Sequence, residues 1–327
     1  MRAEMARWLV TGGAGFLGSH LVDRLLARGD EVLAIDNLYT GSEENLRAAK
    51  QNPRFSFRVA DVRDPLPADI GGAPIDGVLN LACPASPVHY QRDPHLTLTT
   101  SVLGALRLVE LLAERPGLRV VQASTSEVYG DPDVHPQPES YWGKVNPIGP
   151  RACYDEGKRV AETFLVDAWR KRPYPLQILR LFNTYGPRMA LDDGRVVSNY
   201  LVSALRGEPL TVFGEGTQTR SFTYVDDTVS AFVAALGLDD FDGPINVGNP
   251  EELTVRELVD VVAAALGAPL RVEHRPLPVD DPRQRRPDIS RARARLGFSP
   301  TVLVAEGMQK TLADFRGRVT PNPVSSP

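Results

Sequence analysis

Cysteine is scarce in this chain. Cys83 and Cys153 are the only two in 327 residues, and neither belongs to a CxxC pair or stands beside a histidine ligand set. That argues against a disulfide framework and against a zinc site, and it fits a reducing compartment. The five histidines are scattered without an HxH or HxxxH spacing, so no metal is expected. His89 reads as a loop residue without chemistry. The three tryptophans read as core or surface residues, not as a stacking platform for bases. The formal net charge is only -4, with acids and bases interspersed, so there is no basic stripe for nucleic acid. No run of about 18 apolar residues is apparent, so no transmembrane helix and no membrane partner are expected. The opening MRAEMARWLVTGG lacks the apolar stretch of a signal peptide, which leads to the expectation of a cytoplasmic protein.

What is present is a large apolar fraction, 42%, enough for one big domain or a domain with a smaller lobe. Short apolar runs alternate with helical patterns. Strands are predicted at Arg7–Thr11, Glu31–Ile35, Phe55–Val59, Gly77–Leu81, Arg119–Ala123 and Leu176–Leu181. Helices are predicted at Phe16–Arg28, Pro94–Glu114 and Ala152–Lys171. That alternation predicts an α/β fold with a parallel sheet covered on both faces. After Asn183 the elements shorten and Pro, Gly and Arg become frequent. Helices at Arg195–Arg206, Asp226–Leu236, Val255–Leu266 and Ala305–Phe315, with strands at Leu210–Phe213 and Arg271–Glu273, suggest a lobe completing a cleft. The division is drawn as 6–183 for the dinucleotide-binding domain and 184–316 for a mainly substrate-binding lobe, with some segments returning to the sheet. Residues 317–327 read as a disordered tail.

The first strand runs into Gly12, Gly15 and Gly18. Gly12 permits the tight turn, Gly15 lets the backbone approach a pyrophosphate at the positive end of the next helix, and Gly18 lets that helix pack on the sheet. Phe16 and Leu17 open that helix. The second strand ends in Asp36, a carboxylate suited to ribose hydroxyls and repulsive to a 2′-phosphate, so NAD is favoured over NADP. This is a Rossmann-type, doubly wound arrangement. Asp61, after the third strand, is a candidate adenine contact or a simple turn residue.

Tyr154 and Lys158 are four residues apart at the start of a helical pattern, which puts them on one face. A free phenol titrates near pH ~10; a neighbouring ammonium and a cationic cofactor favour the phenolate, which would act as a base on a sugar hydroxyl. Ser124, Thr125, Ser126 and Glu127 follow the fifth strand, at the carboxyl edge where ligands bind in open α/β sheets.

Together these motifs resemble the extended short-chain dehydrogenase/reductases, which act on nucleotide sugars, over about residues 6 to 316. The strings LACPASPVHY (81–90), STSEVYGDP (124–132), YWGKVNPIGPRACYDEGK (141–158), FNTYGPRM (182–189), DGRVVSN (193–199), QTRSFTY (218–224) and RRPDI (285–289) are similar to the UDP-glucuronate decarboxylases, or UDP-xylose synthases, within that group. The resemblance implies a tightly bound, recycled NAD, C4 oxidation with Tyr154 as base, and loss of CO2 from the resulting β-keto acid, giving UDP-xylose or the 4-keto-pentose. It implies Asn37, Val62, Leu81, Ala82, Thr184 and Arg188 around the cofactor. Pro84, Ser86 and Tyr90 would lie near the sugar carboxylate, Asn183 and Arg220 at the diphosphate, and Thr211 near the uracil. Ser126, Glu127 and Arg285 would serve the acid loop and C5 reprotonation; otherwise Arg285 is one of a solvated basic run with Arg283 and Arg286. Lys144 is expected outside the first ring of contacts. The resemblance also implies a homodimer through a four-helix bundle of Pro94–Glu114 and Ala152–Lys171. The alternatives are another C4-oxidising enzyme, a 4-epimerase or 4,6-dehydratase, and more remotely a non-catalytic NAD-binding module.

Overall fold

The computed structural model describes residues 5–67, 70, 72, 74–276 and 284–320. Its centre is a seven-stranded parallel sheet. The strands are β1 (Arg7–Thr11), β2 (Glu31–Asp36), β3 (Phe55–Val59), β4 (Gly77–Asn80), β5 (Arg119–Thr125), β6 (Leu176–Leu181) and, from the later part of the chain, Ile245–Val247. The order across the sheet is that last strand, then β6, β5, β4, β1, β2 and β3. Strand order reverses between β1 and β4, and that switch opens a crevice at their carboxyl ends.

The apolar runs are continuous because both faces are covered. Leu9, Leu33, Val78 and Val120 face a cluster that includes Leu108, Leu112 and Leu165. Their neighbours Val10, Ala34, Leu79 and Val121 face the other way, into a core holding Leu21, Leu25, Val229 and Phe232. The helices are α1 (Phe16–Arg28), α2 (Pro87–Arg92), α3 (Pro94–Glu114), α4 (Ala152–Lys171), α5 (Val196–Arg206), α6 (Val225–Ala235), α7 (Val255–Leu266), α8 (Ser290–Leu296) and α9 (Val304–Arg316). α3 and α4 pack along each other at small residues: a Cβ on Gly157 would stand 3.1 Å from Ser101 Cβ.

α3 corrects one expectation. Its best 18-residue window has a mean hydropathy of 1.5, so by length and composition it is apolar enough to cross a membrane. In this fold it covers the sheet, with 44% of that window buried.

A polar ladder holds the strand ends at the switch point. Thr11 Oγ1 donates to Asn80 Oδ1 (2.5 Å), and Asn80 Nδ2 donates to Gln122 Oε1 (2.7 Å). Thr11 Oγ1 also accepts from the Leu81 and Ala82 amides, which fixes the start of the loop after β4. One register further on, Ser124 pairs with Arg180 across β5 and β6. Glu162 on α4 accepts from Ser124 Oγ (2.5 Å) and from Arg180 Nε and Nη2 (3.0 and 2.7 Å). Two strands and the helix carrying Tyr154 are thereby locked in one register.

Most predicted elements appear within a residue or two. β4 stops at Asn80, and β5 runs on to Thr125 because its register with β6 continues that far. α2, α8 and the seventh strand are six, seven and three residues long, too short to show a period. In the later region a strand at Leu210–Phe213 pairs in parallel with one at Val272–Arg275. Of the expected tail, residues 321–327 lie outside the described residues.

A Cβ on Gly18 would come 2.1 Å from the Gly12 carbonyl oxygen. Gly18→Ala is therefore expected to force the glycine turn off α1 at a cost of about 1–3 kcal/mol. Calorimetry should show a melting temperature lower by several degrees.

Candidate active site

One cavity of about 1140 Å³ runs along the carboxyl edge of the sheet. At one end stands the glycine turn. Gly12 has φ +67°, and a Cβ there would meet the Ala82 backbone at 2.9 Å. Gly15 begins α1 with no side-chain cap, so the amides of the first turn point free at the positive end of the helix. Asp36 ends β2 and accepts from the Ala14 amide (3.0 Å) and the Leu38 amide (2.8 Å). Burial raises its pKa against those hydrogen bonds. Phe16, Leu17, Gly18, Asn37, Val62, Leu81, Ala82, Thr184 and Arg188 complete this end. An uncapped helix start with a carboxylate across from it fits a dinucleotide with free ribose hydroxyls. Asp61 is the exception among the expected cofactor residues. Arg63 Nε and Nη2 hold its carboxylate at 3.0 and 2.9 Å, Asn37 Nδ2 donates to it at 2.9 Å, and it does not line the cavity. Those partners bring its pKa down to about 2, which fits the strand-end turn residue that was the other reading of Asp61.

Tyr154 lines the same cavity from the first turn of α4. It is 6% exposed, and the Thr125 hydroxyl at the end of β5 is its hydrogen-bond partner. Lys158 Nζ donates to the Ala123 carbonyl (2.9 Å) and lies 5.9 Å from the Tyr154 ring centre. The expected depression of the phenol is not present in this state. Burial dominates and pushes its pKa well above the ordinary value, with Thr125 and Arg195 pulling down only weakly. Tyr90 stacks on Tyr154 with centroids 5.1 Å apart and planes at 4°, fixing the ring that carries the hydroxyl.

Beyond Tyr154 lies a buried charge cluster. Glu127 sits in the short turn Ser126–Tyr129 that follows β5. Arg285 approaches both oxygens of Glu127, Nη2 at 2.9 Å, and Arg151 Nη2 donates to Oε2 at 2.6 Å. Burial alone would raise the Glu127 pKa, but the two guanidinium groups outweigh it and hold the carboxyl below its ordinary value. Glu127 is thus an anchored anion. Arg285 is 5% exposed, so it is not part of a solvated run. Arg151 is a site residue the sequence reading missed, although it stands three residues before Tyr154 on the same helical face.

Thr125, Ser126, Pro84, Ser86, Tyr90, Asn183, Thr211 and Arg220 all line the same cavity. Lys144 does not; it is exposed and paired with Asp133 at 2.7 Å. His89, expected to be an inert loop residue, is 6% exposed inside α2 and hydrogen-bonded to Ser86. Among the described residues no group of three metal-ligating side chains forms.

A family model described as GDP-mannose 4,6 dehydratase matches residues 9–311. UDP-glucuronic acid decarboxylase 1 of Arabidopsis thaliana is 51% identical over 96% of this chain and 70% of its own length. The chain belongs to the UDP-glucuronic acid decarboxylase family. Decarboxylase 3 of the same plant is also 51% identical, over 96% of this chain and 90% of its own. Among solved structures, UDP-glucuronic acid 4-epimerase from Bacillus cereus, in complex with UDP-glucuronic acid and NAD, superposes with a TM-score of 0.85 at 29% identity, covering 95% of this chain and 99% of its own. These decarboxylases and this chain are extended short-chain dehydrogenase/reductases.

Asp155, beside the tyrosine, gives a test of the site's electrostatics. Its Oδ1 is buried without a hydrogen-bond partner, and burial, then the Glu127 charge, push its pKa up to about 7. A carboxyl raised in the folded state contributes stability at low pH and loses it as pH rises through the folded value. Asp155→Asn should therefore change the melting temperature little near pH ~4 and raise it increasingly up to pH ~7, with a plateau above. A constant difference across that range would contradict this placement of the charge.

Proposed function

We infer that this chain oxidises UDP-glucuronate at C4 and decarboxylates it, giving UDP-xylose. The observation that carries the reading is a phenol–threonine–lysine set sharing one cavity with a buried Glu127–Arg285 pair. The first is suited to removing hydrogen from a carbinol, the second to handling a carboxylate. Identity near 50% to decarboxylases, over nearly the whole chain, weighs against the 4-epimerase and 4,6-dehydratase readings, and a non-catalytic module has no need of this constellation.

NAD, when bound, supplies the hydride acceptor at C4 and the same hydride for return. Gly12, Gly15, Gly18, Asp36 and Lys158 are the residues that would hold it. Tyr154 takes the C4 hydroxyl proton, with Thr125 orienting that hydroxyl and Lys158 adding positive charge. Oxidation at C4 leaves the carboxylate β to a carbonyl. The C5–carboxyl bond then breaks, CO2 departs, and its electron pair delocalises onto the C4 oxygen as an enolate. A proton added at C5 restores the ketone. Arg285 faces the carboxylate, and because a guanidinium keeps its charge in proteins it acts by orienting a water or the anion, not as the acid itself. Arg220, Asn183 and Thr211 are assigned to the diphosphate and uracil.

The direct experiment incubates the protein with UDP-glucuronate and NAD and follows CO2 and the sugar nucleotide by mass spectrometry. The expected product is UDP-xylose. Tyr154→Phe should lower turnover about 10²–10⁴-fold; unchanged turnover would remove Tyr154 from the chemistry, and a hexose product would point to epimerisation.

The reading includes a homodimer through α3 and α4, supported by the apolar composition of α3, less than half of which is buried within one chain. Leu98 on that helix is 37% exposed. Light scattering should give twice the chain mass of 35.8 kDa; a monomer at working concentration would count against it. A cytoplasmic location completes the proposal, supported by two free thiols.

A further inference from the structure

His89 is placed to control a neighbouring hydroxyl. Its Nδ1 lies 2.9 Å from Ser86 Oγ, and its backbone N–H donates to the same oxygen at 3.4 Å. On its other side Nε2 lies 3.6 Å from Asp192 Oδ2, on the loop that leads into α5. That loop rests on α2: a Cβ on Gly194 would stand 2.2 Å from Val88 Cγ2. Ser86, His89 and Asp192 all line the cavity that holds Tyr154 and Arg285.

The donor inventory decides what this row can do. An ionised Asp192 only accepts, so it favours the imidazole tautomer with its proton on Nε2. Nδ1 is then an acceptor, and Ser86 commits its single hydroxyl proton to it. In that state Ser86 has no proton to offer a ligand. When Nδ1 also carries a proton, the ring donates to Ser86 Oγ, and the hydroxyl proton is released towards the cavity. The charged groups on the same loop, in the same cavity and on α2 are engaged elsewhere or exposed. Asp193 on the same loop is held by Arg195, Glu127 is held by Arg151 and Arg285, and Arg92 on α2 is exposed.

We propose that His89, backed by Asp192, sets the direction of the Ser86 hydroxyl, so that binding a sugar carboxylate draws one proton onto His89. This rests on the reading of the substrate as a UDP-hexuronic acid and makes His89 a specificity-determining positioning residue. A carboxylate gains a hydrogen bond from Ser86 and a nearby imidazolium; a pentose, lacking the carboxylate, gains neither.

The test is calorimetric binding to the NAD-loaded protein, in the Tyr154→Phe background to arrest turnover, at pH ~8. UDP-glucuronate and UDP-xylose are titrated in two buffers of different ionisation heat. UDP-glucuronate should take up about one proton per site and UDP-xylose none. His89→Leu should weaken UDP-glucuronate about tenfold and leave UDP-xylose unchanged. His89→Asn, whose amide can donate to Ser86 without titrating, should keep most of the affinity and lose the uptake. Uptake that persists in His89→Asn, or equal losses for both sugars in His89→Leu, would overturn the proposal. Absence of CO2 release by the unmodified protein would instead overturn the functional reading, and the buffer comparison would still decide this one.

Discussion

The Glu127 carboxylate, held between Arg151 and Arg285, is the constraint on which the far half of the cavity depends. It joins three segments remote in sequence: the turn after β5, the start of α4 and the stretch before α8. Burying three charges is costly, and removing one partner of such a set typically costs ~3–5 kcal/mol because it strands the others. A fold that only needed stability would fill this space with apolar side chains. In the proposed reaction the cluster would offer a ligand guanidinium groups already desolvated and balanced by an anion that keeps them in place.

The same economy governs Tyr154. In the protein alone its phenol is firmly protonated, because burial outweighs every nearby charge. A base that is inert until positive charge arrives cannot abstract protons in an unloaded pocket. The helix register makes this possible. Glu162 fastens α4 to β5 and β6 through Ser124 and Arg180, Tyr90 stacks on the ring, and Lys158 is tethered to the Ala123 carbonyl. The helix that carries Tyr154 is thus held by part-buried partners, Glu162 and Arg180, that do not line the cavity.

Much of this was legible in the sequence where a local pattern carries the geometry. The glycine turn, Asp36 and the Tyr154/Lys158 pair are local signals, each fixed by one strand end or one helical turn. The cavity gathers nearly all the residues proposed for it. Asp61 stays open between an adenine contact and a turn residue in the sequence because a strand-end acid carries no mark of its partners; here Arg63, two residues on, holds it. Arg151 was missed because its meaning lies in a contact with Glu127, 24 positions away. His89 was dismissed because a helix of six residues shows no period, so its burial could not be foreseen. The apolar character of α3 was underestimated because its threonines interrupt the run without lowering its mean hydropathy enough.

The central claim is that oxidation at C4 is what releases the carboxyl group. It is tested most directly with UDP-glucuronate deuterated at C4. The account predicts that CO2 release is accompanied by transfer of the deuterium to the nicotinamide and its return to C4 of the pentose, with none appearing in water. Release of CO2 with the label never leaving C4, or with the label lost to solvent, would contradict it.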